Sequence, residues 1–159
     1  MFNDIKQQFP TLHNSPELAY FDSAATTQTH VSVIDAMNYY YEHERTSVHR
    51  GDYAISRSVS EKVETAREQV ADLISAKPEQ IIFTQGATEG LNIIANWFKS
   101  VDTVIITDME HSANILPWLA QGRSINNKRL IVVPARADGS IELDAASKIF
   151  SSCTGSALL

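Results

Sequence analysis

The stretch IIFTQGATEG, residues 81–90, decides the fold class: a short, wholly apolar run leads into a glycine-containing turn, and then into a segment with Leu91, Ile94, Ala95 and Phe98 at helical spacing. The same unit recurs downstream. VII at 104–106 precedes a helical segment at 113–121, and LIVV at 130–133 opens a third cycle. Apolar runs without alternation are what strands show when helices cover both faces, so the pattern predicts an α/β protein with parallel strands. Residues 137–150, ADGSIELDAASKIF, read as a hairpin or turn opening onto another helix with Asp144 as its N-cap. Only SSCTGSALL follows. Three parallel strands ending on a fresh helix read as an unfinished sheet, with an apolar edge open to pairing or aggregation.

Upstream the pattern is mixed. LAYFD, 18–22, is consistent with a short strand, and the small residues of SAATT after it read as a close-approach turn. Val33, Ile34, Met37, Tyr40 and Tyr41 have helical spacing within 31–44, and SVHRGDYAIS, 47–56, reads as an ordered loop. Ser58 and Glu61 fit a capping box at the start of a helix whose apolar face carries Val63, Ala66, Val70, Leu73 and Ile74. That helix is expected to end near Lys77-Pro78.

The chain of 159 residues is 43% hydrophobic, enough apolar material for the core of one ordinary domain. Its net charge of -6 and pI near 5.3, without any basic cluster, disfavour a nucleic-acid surface. The first residues lack a leader's apolar region and no later run is long enough to cross a bilayer, so the reading is cytoplasmic with no membrane partner. The single cysteine, Cys153, offers neither a disulfide nor metal-ligand spacing.

Two constellations carry chemistry. In TQGATEG, Gly86 can adopt backbone angles closed to other residues, while the amides of Ala87 and Thr88 and the Thr88 hydroxyl can point at an anion. A phosphate suits this turn, although neither G-x-x-x-x-G-K-[ST] nor G-x-G-x-x-G occurs. A plain strand-to-helix turn capped by threonine is the bland alternative. At the next strand end, TDMEHSANILPW presents Asp108, Glu110, His111 and Asn114. These make no standard ligand set, and no metal is expected. The imidazole of His111 either lies flat against an aromatic ligand or caps the following helix.

YFDSAATT, SVHRGDYAIS, IIFTQGATEGLNIIA and ITDMEHSANILPW, in this order, resemble the N-terminal part of group II cysteine desulfurases of the sulfur-mobilisation type. These are class V aminotransferase-family enzymes of fold type I that use pyridoxal 5'-phosphate (PLP). The resemblance implies a partial fold type I: an N-terminal segment with helix and active-site loop, 1–57, and an incomplete PLP-binding large domain, 58–159. It assigns the PLP phosphate to Gly86, Ala87 and Thr88, and stacking on the pyridine ring to His111. His49 and Arg50 become loop residues at the active-site mouth near a homodimer interface, and Ala24 and Ala25 the turn beside the substrate. One departure is Ser112, where the family often has a second histidine.

The family's remaining machinery is expected elsewhere. PLP enzymes hold the cofactor on a lysine, yet Lys6, Lys62, Lys77, Lys99, Lys128 and Lys148 lack the family's context of a preceding serine and histidine. Cys153 lacks neighbouring cations and the loop of the family's sulfur-accepting cysteine. The resemblance therefore implies a truncated piece of an enzyme that converts L-cysteine to L-alanine and passes sulfur as persulfide to an acceptor protein, for iron-sulfur cluster or cofactor assembly. Alone it is expected to bind PLP weakly and not to turn over. Alternatives are a selenocysteine lyase or epimerase of the same family, a non-catalytic module pairing with a full-length relative, and an independent phosphate-binding domain.

Overall fold

The structure, a computed structural model, describes residues 2–123 and 130–159. It divides into two compact units, Met1–Ile81 and Ile82–Leu159.

The first unit is helical. Two short helices, α1 (Phe2–Gln7) and α2 (Pro10–His13), precede α3 (Val31–Tyr39), which runs on through a π-turn at Tyr40–Glu44 and confirms the expected helix. The expected strand at 18–22 does not form. Its surroundings are fastened by side chains instead: Lys6 Nζ donates to Pro16 O at 2.8 Å and Leu18 O at 3.4 Å, and the Tyr20 hydroxyl donates to Thr26 O. Residues 23–25 make the expected turn, with the amides of Ala25 and Thr26 both on Asp22 O.

Helix α4 (Ala54–Leu73) starts one turn earlier than the sequence suggested. Tyr53, in extended backbone, precedes its first residue, and Ser56 is buried with its hydroxyl on Ser47 O at 2.8 Å. Ser58 and Glu61 therefore lie inside the helix, and they form no capping box. Gly51 makes the early start possible, since a Cβ there would lie 2.4 Å from the Tyr53 ring. The helix ends before Ser75, whose φ of 55° breaks it, and a 3-10 turn at Pro78–Gln80 follows.

The second unit holds a three-stranded parallel sheet, β1 (Thr103–Thr107), β2 (Leu130–Val133) and β3 (Ala157–Leu158), in the order β2-β1-β3. Three parallel strands form as the sequence pattern predicts, but one of them is not the expected segment. Residues 81–83 form no ladder, and Ile82 and Phe83 are half exposed. One edge of β1 is paired from Val104 to Thr107 by β2, and the other is paired at Thr103 and Val104 by β3 from the closing residues, whereas 81–83 joins no ladder.

Helices cover both faces of β1, as expected. On one side Val104, Ile106 and Leu130 pack with Ala95 of α5 (Ala87–Trp97) and Trp118 of α6 (Ser112–Ala120). On the other, Ile105 and Val133 pack with Ala146 of α7 (Leu143–Ser152). The expected hairpin is an antiparallel bridge, Ala135 with Ile141, around Gly139 at φ 82°. Glu142, not Asp144, stands at the N-cap of α7, because the Glu142 amide donates to Pro134 O and starts the helix two residues sooner. Its carboxylate is turned to Arg136 at 3.0 Å, and Asp144 sits in the first turn, where a negative charge is favoured.

A clamp fastens β3. Asp102 Oδ2 accepts the Ser156 amide and hydroxyl, both at 2.9 Å, while the Ser156 hydroxyl accepts the Asp102 amide at 3.1 Å. Gly155 enters this clamp at φ 84°, and a Cβ there would lie 2.4 Å from Asp102 Oδ2. Gly155→Ala is expected to cost at least about 1–2 kcal/mol from the left-handed backbone alone and to release β3. Loss of hydrogen-exchange protection at Thr103, whose amide donates to Ser156 O, with Leu130 still protected, would confirm it.

Candidate functional site

The turn at 84–88 is shaped by one glycine. Gly86 stands at the N-cap of α5 with φ 155° and ψ 177°, a region that side chains all but exclude, and a Cβ placed on it would meet nothing within 4 Å. The space is open, so glycine is needed for backbone angle rather than for room. The first intrahelical bond runs from the Gly90 amide to Gly86 O, which leaves the first-turn amides of Ala87 and Thr88 to face outward with the positive end of the helix. The Thr84 hydroxyl donates to Gly86 O at 3.1 Å and braces the turn. Sequence reading missed Glu89, whose Oε2 accepts the Gln85 amide at 2.6 Å. A carboxylate four residues after an amide at a helix start is the signal that could have found it. It satisfies one orphan donor, and it places a like charge near any anion bound at the turn.

His111 begins the second helix of the site. It stands at the N-cap of α6, and its Nδ1 accepts the Ala113 amide at 3.1 Å, so capping, one of the two readings open from the sequence, is its observed geometry. The ring remains exposed and can receive a ligand on its face. Around it the strand end is tied down: Glu110 accepts the Thr107 hydroxyl and the Asn114 amide, each at 3.0 Å, and Asp108 Oδ1 accepts the Ala135 amide at 2.9 Å. These hydrogen bonds, Asn114 first, lower the Glu110 pKa below its ordinary value. Asp108 and Glu110 are thus engaged with their own backbone and neighbours, and among the described residues no group of three or more possible ligands could hold a metal ion.

Helix α5 leads into β1 and α6 leads out of it. Both consequently run against the strand, and their N-termini lie at its carboxyl end, the edge where parallel α/β sheets collect ligands. The two helices pack on one face of the sheet, and Gln121 Nε2 crosses between them to Ala95 O at 2.7 Å. Gly86, Ala87, Thr88 and His111 therefore share one end of the second unit.

The other expected site residues belong to the first unit. Ala24 and Ala25 are exposed in the turn after Asp22. His49 adopts φ 57°, its amide donates to Ser60 Oγ at 3.0 Å, and its Nε2 lies 3.1 Å from Glu64 Oε1. Glu64 in turn accepts Arg67 Nε at 3.0 Å, and Arg67 Nη1 donates to Ile81 O at 2.6 Å. The Arg67 hydrogen bond, more than His49, holds the Glu64 pKa below its ordinary value. Sequence reading had no role for Glu64 and Arg67, although their spacing of three on one helix marks a pair. Pinning His49 leaves Arg50 exposed beside it.

Of the six lysines, Lys128 lies outside the described residues. Lys6 is bonded to main-chain carbonyls, Lys62 pairs with Glu44 across 2.6 Å, and Lys77, Lys99 and Lys148 occupy helix flanks and helix surface. Cys153 is half-buried against the α7 side of the sheet, its Sγ 3.3 Å from Ile149 O. Among the described residues no helix is long and apolar enough to cross a membrane.

Compared with known proteins, the chain matches the family described as aminotransferase class-V over residues 19–157. It is 41% identical to a cysteine desulfurase of Serratia proteamaculans (strain 568), over 92% of this chain and 40% of that protein. A cysteine desulfurase of Synechococcus elongatus is 37% identical over 96% of this chain and 26% of its own length. The apo structure of a cysteine desulfurase from Thermococcus onnurineus NA1 superposes with a TM-score of 0.78 at 35% identity, over 92% of this chain and 36% of that one. The chain thus spans well under half the length of these relatives.

Gly86→Ala is expected to destabilise the turn by about 1–3 kcal/mol through backbone strain, without a steric clash. A denaturant midpoint unchanged from wild type would contradict that. Glu110 gives a pH dependence of known sign. Its folded pKa is lowered, so its contribution is present above the unfolded carboxyl pKa and is lost as pH falls through the lowered folded value. The Asn114 side-chain amide resonances are expected to move through that acidic window; their indifference to acid would count against the clamp.

Proposed function

The chain belongs to the aminotransferase class-V family, and from that premise we propose that it forms the N-terminal part of a PLP-dependent cysteine desulfurase. Its α/β architecture is the corresponding part of fold type I. The observation that carries the reading is the Gly86 turn, whose outward amides and open volume fit a phosphate. In this proposal Ala87 and Thr88 hold that phosphate and His111 lies against the pyridine ring. His49 and Arg50 stand at the mouth of the site, with Ala24 and Ala25 beside the substrate. Residues 1–57 act as the N-terminal segment and 58–159 as the cofactor-binding part.

Bound PLP supplies the electron sink that allows the carbon–sulfur bond of L-cysteine to break, giving L-alanine. What this chain's own residues do is bind and orient. The first-turn amides of α5 and the Thr88 hydroxyl donate hydrogen bonds to the phosphate, and the negative charge of Glu89 keeps that grip modest. No lysine among the described residues has the expected strand-end placement, so we propose that the chain does not turn over alone. In the complete protein sulfur passes as persulfide to an acceptor protein, within a homodimer and for iron-sulfur cluster or cofactor assembly. A second reading, a non-catalytic module pairing with a full-length relative, draws support from the half-exposed Ile82 and Phe83 and from a β3 of two residues at the sheet edge.

Titration with PLP or inorganic phosphate is expected to shift the amide resonances of Ala87 and Thr88 saturably. Thr88→Val is expected to weaken PLP binding about tenfold, the value of roughly 1.5 kcal/mol for a hydrogen bond to a charged group. Shifts spread over the surface, with none at the turn, would remove the phosphate assignment. Sulfide release from L-cysteine by the purified chain at an enzymic rate would remove the proposed inactivity, and a defined complex with a full-length relative would favour the module.

A further inference from the structure

The turn that carries His111 also decides where this residue keeps its proton. A ring nitrogen that accepts a hydrogen bond is unprotonated, so the bond from the Ala113 amide to Nδ1 places the proton of the neutral ring on Nε2. The chain contains the same device a second time. His30 caps α3 at φ -68° and ψ 145°, against φ -67° and ψ 145° for His111, and its Nδ1 accepts the Ser32 amide at the same 3.1 Å, with the one difference that the Ser32 hydroxyl also lies 2.8 Å from that nitrogen. In His30 the remote nitrogen is used up, since Nε2 lies 2.7 Å from Gln8 Oε1, the donor contact this tautomer requires. In His111 the remote nitrogen has no hydrogen-bond partner among the described residues, and the ring is exposed.

The residues on either side of His111 are fixed. Glu110 bridges Thr107, at the end of β1, to Asn114, in the first turn of α6. Asp108 is tied to the end of β2 twice, through its amide to Val133 O at 3.1 Å and through Oδ1 to the Ala135 amide at 2.9 Å. The strand end and the helix start are therefore joined both by the main chain through His111 and by the Glu110 bridge beside it.

We infer that residues 107–114 form a positioning device for the His111 ring. The Ala113 amide selects the tautomer, Glu110 and Asn114 hold the ring's direction, and Nε2–H is left as one outward donor for a negatively charged oxygen or sulfur atom of a bound ligand. Glu110 and Asn114 are positioning residues, acting only through His111. The identity of that ligand rests on the proposed function; the place of the proton does not.

The test uses the 15N-labelled chain without cofactor, at a pH where the ring is neutral. Long-range proton–nitrogen spectra are expected to show His111 protonated at Nε2 and bare at Nδ1, with a coupling across the hydrogen bond between Nδ1 and the Ala113 amide nitrogen. The His30–Ser32 pair serves as the internal reference. Glu110→Ala is expected to weaken the His111 coupling and to speed exchange of the Ala113 amide about fivefold, the loss expected of a helix cap. Glu110→Gln, which can still accept from Thr107 and donate or accept at Asn114, is expected to retain it. A proton on Nδ1, or no coupling to Ala113, overturns the inference, as does a Glu110→Ala spectrum unchanged at both residues. Phosphate-induced shifts at Ala87 and Thr88 report separately on the proposed function, so failure of one reading is distinguishable from failure of the other.

Discussion

The second unit depends on the burial of β1. It is paired with β2 from Val104 to Thr107 and with β3 at Thr103 and Val104, and its two faces are covered by the α5–α6 pair and by α7, so Val104, Ile105 and Ile106 are all buried although they point to alternate sides. An unpaired strand so placed would leave amides and carbonyls without water or partner, at a cost of about 1–3 kcal/mol for each group. The Asp102–Ser156 clamp is the small polar device that secures one of those edges. Because β1 cannot shift register without moving its alternating side chains between two different cores, its carboxyl end is a fixed platform.

That platform explains why the candidate site is assembled from helix starts. The chain enters β1 from α5 and leaves it into α6, which brings two sets of unpaired amides and two partial positive charges to one edge. The two starts are finished differently. At α5 the cap is a glycine in a backbone region of its own, and the amides stay open. At α6 the cap is an imidazole that consumes the Ala113 amide, so this helix contributes an aromatic face and a proton donor in place of an anion seat. One edge therefore offers two complementary kinds of contact.

The first unit is held together by different forces. Among the described residues Ser56, Val59 and Ala71 are its buried ones, and much of its order comes from side chains that satisfy main-chain groups: Lys6 on the 16–18 segment, Ser56 on Ser47, Ser60 on His49, Arg67 on Ile81. Such bonds contribute about 1 kcal/mol each and are strongly directional. They suit a segment whose task is to hold a loop in one shape, as His49 in its left-handed conformation shows.

The sequence by itself determined the α/β class, the helices over 31–44 and 113–121, the latter displaced by one residue from α6, the strands at 104–106 and 130–133, and the glycine turn, because apolar periodicity and glycine's backbone freedom are properties of neighbouring residues. It also led to the family through four motifs in order. Only the tertiary structure decided which strands are partners. Residues 81–83 and 157–158 are both short and apolar, and choosing between them requires knowing that β1 has two edges and which residues reach them. The early start of α4, the transfer of the α7 cap from Asp144 to Glu142 and the capping of α6 by His111 were settled in the same way, by hydrogen bonds to groups distant in sequence or by backbone angles that periodicity does not encode.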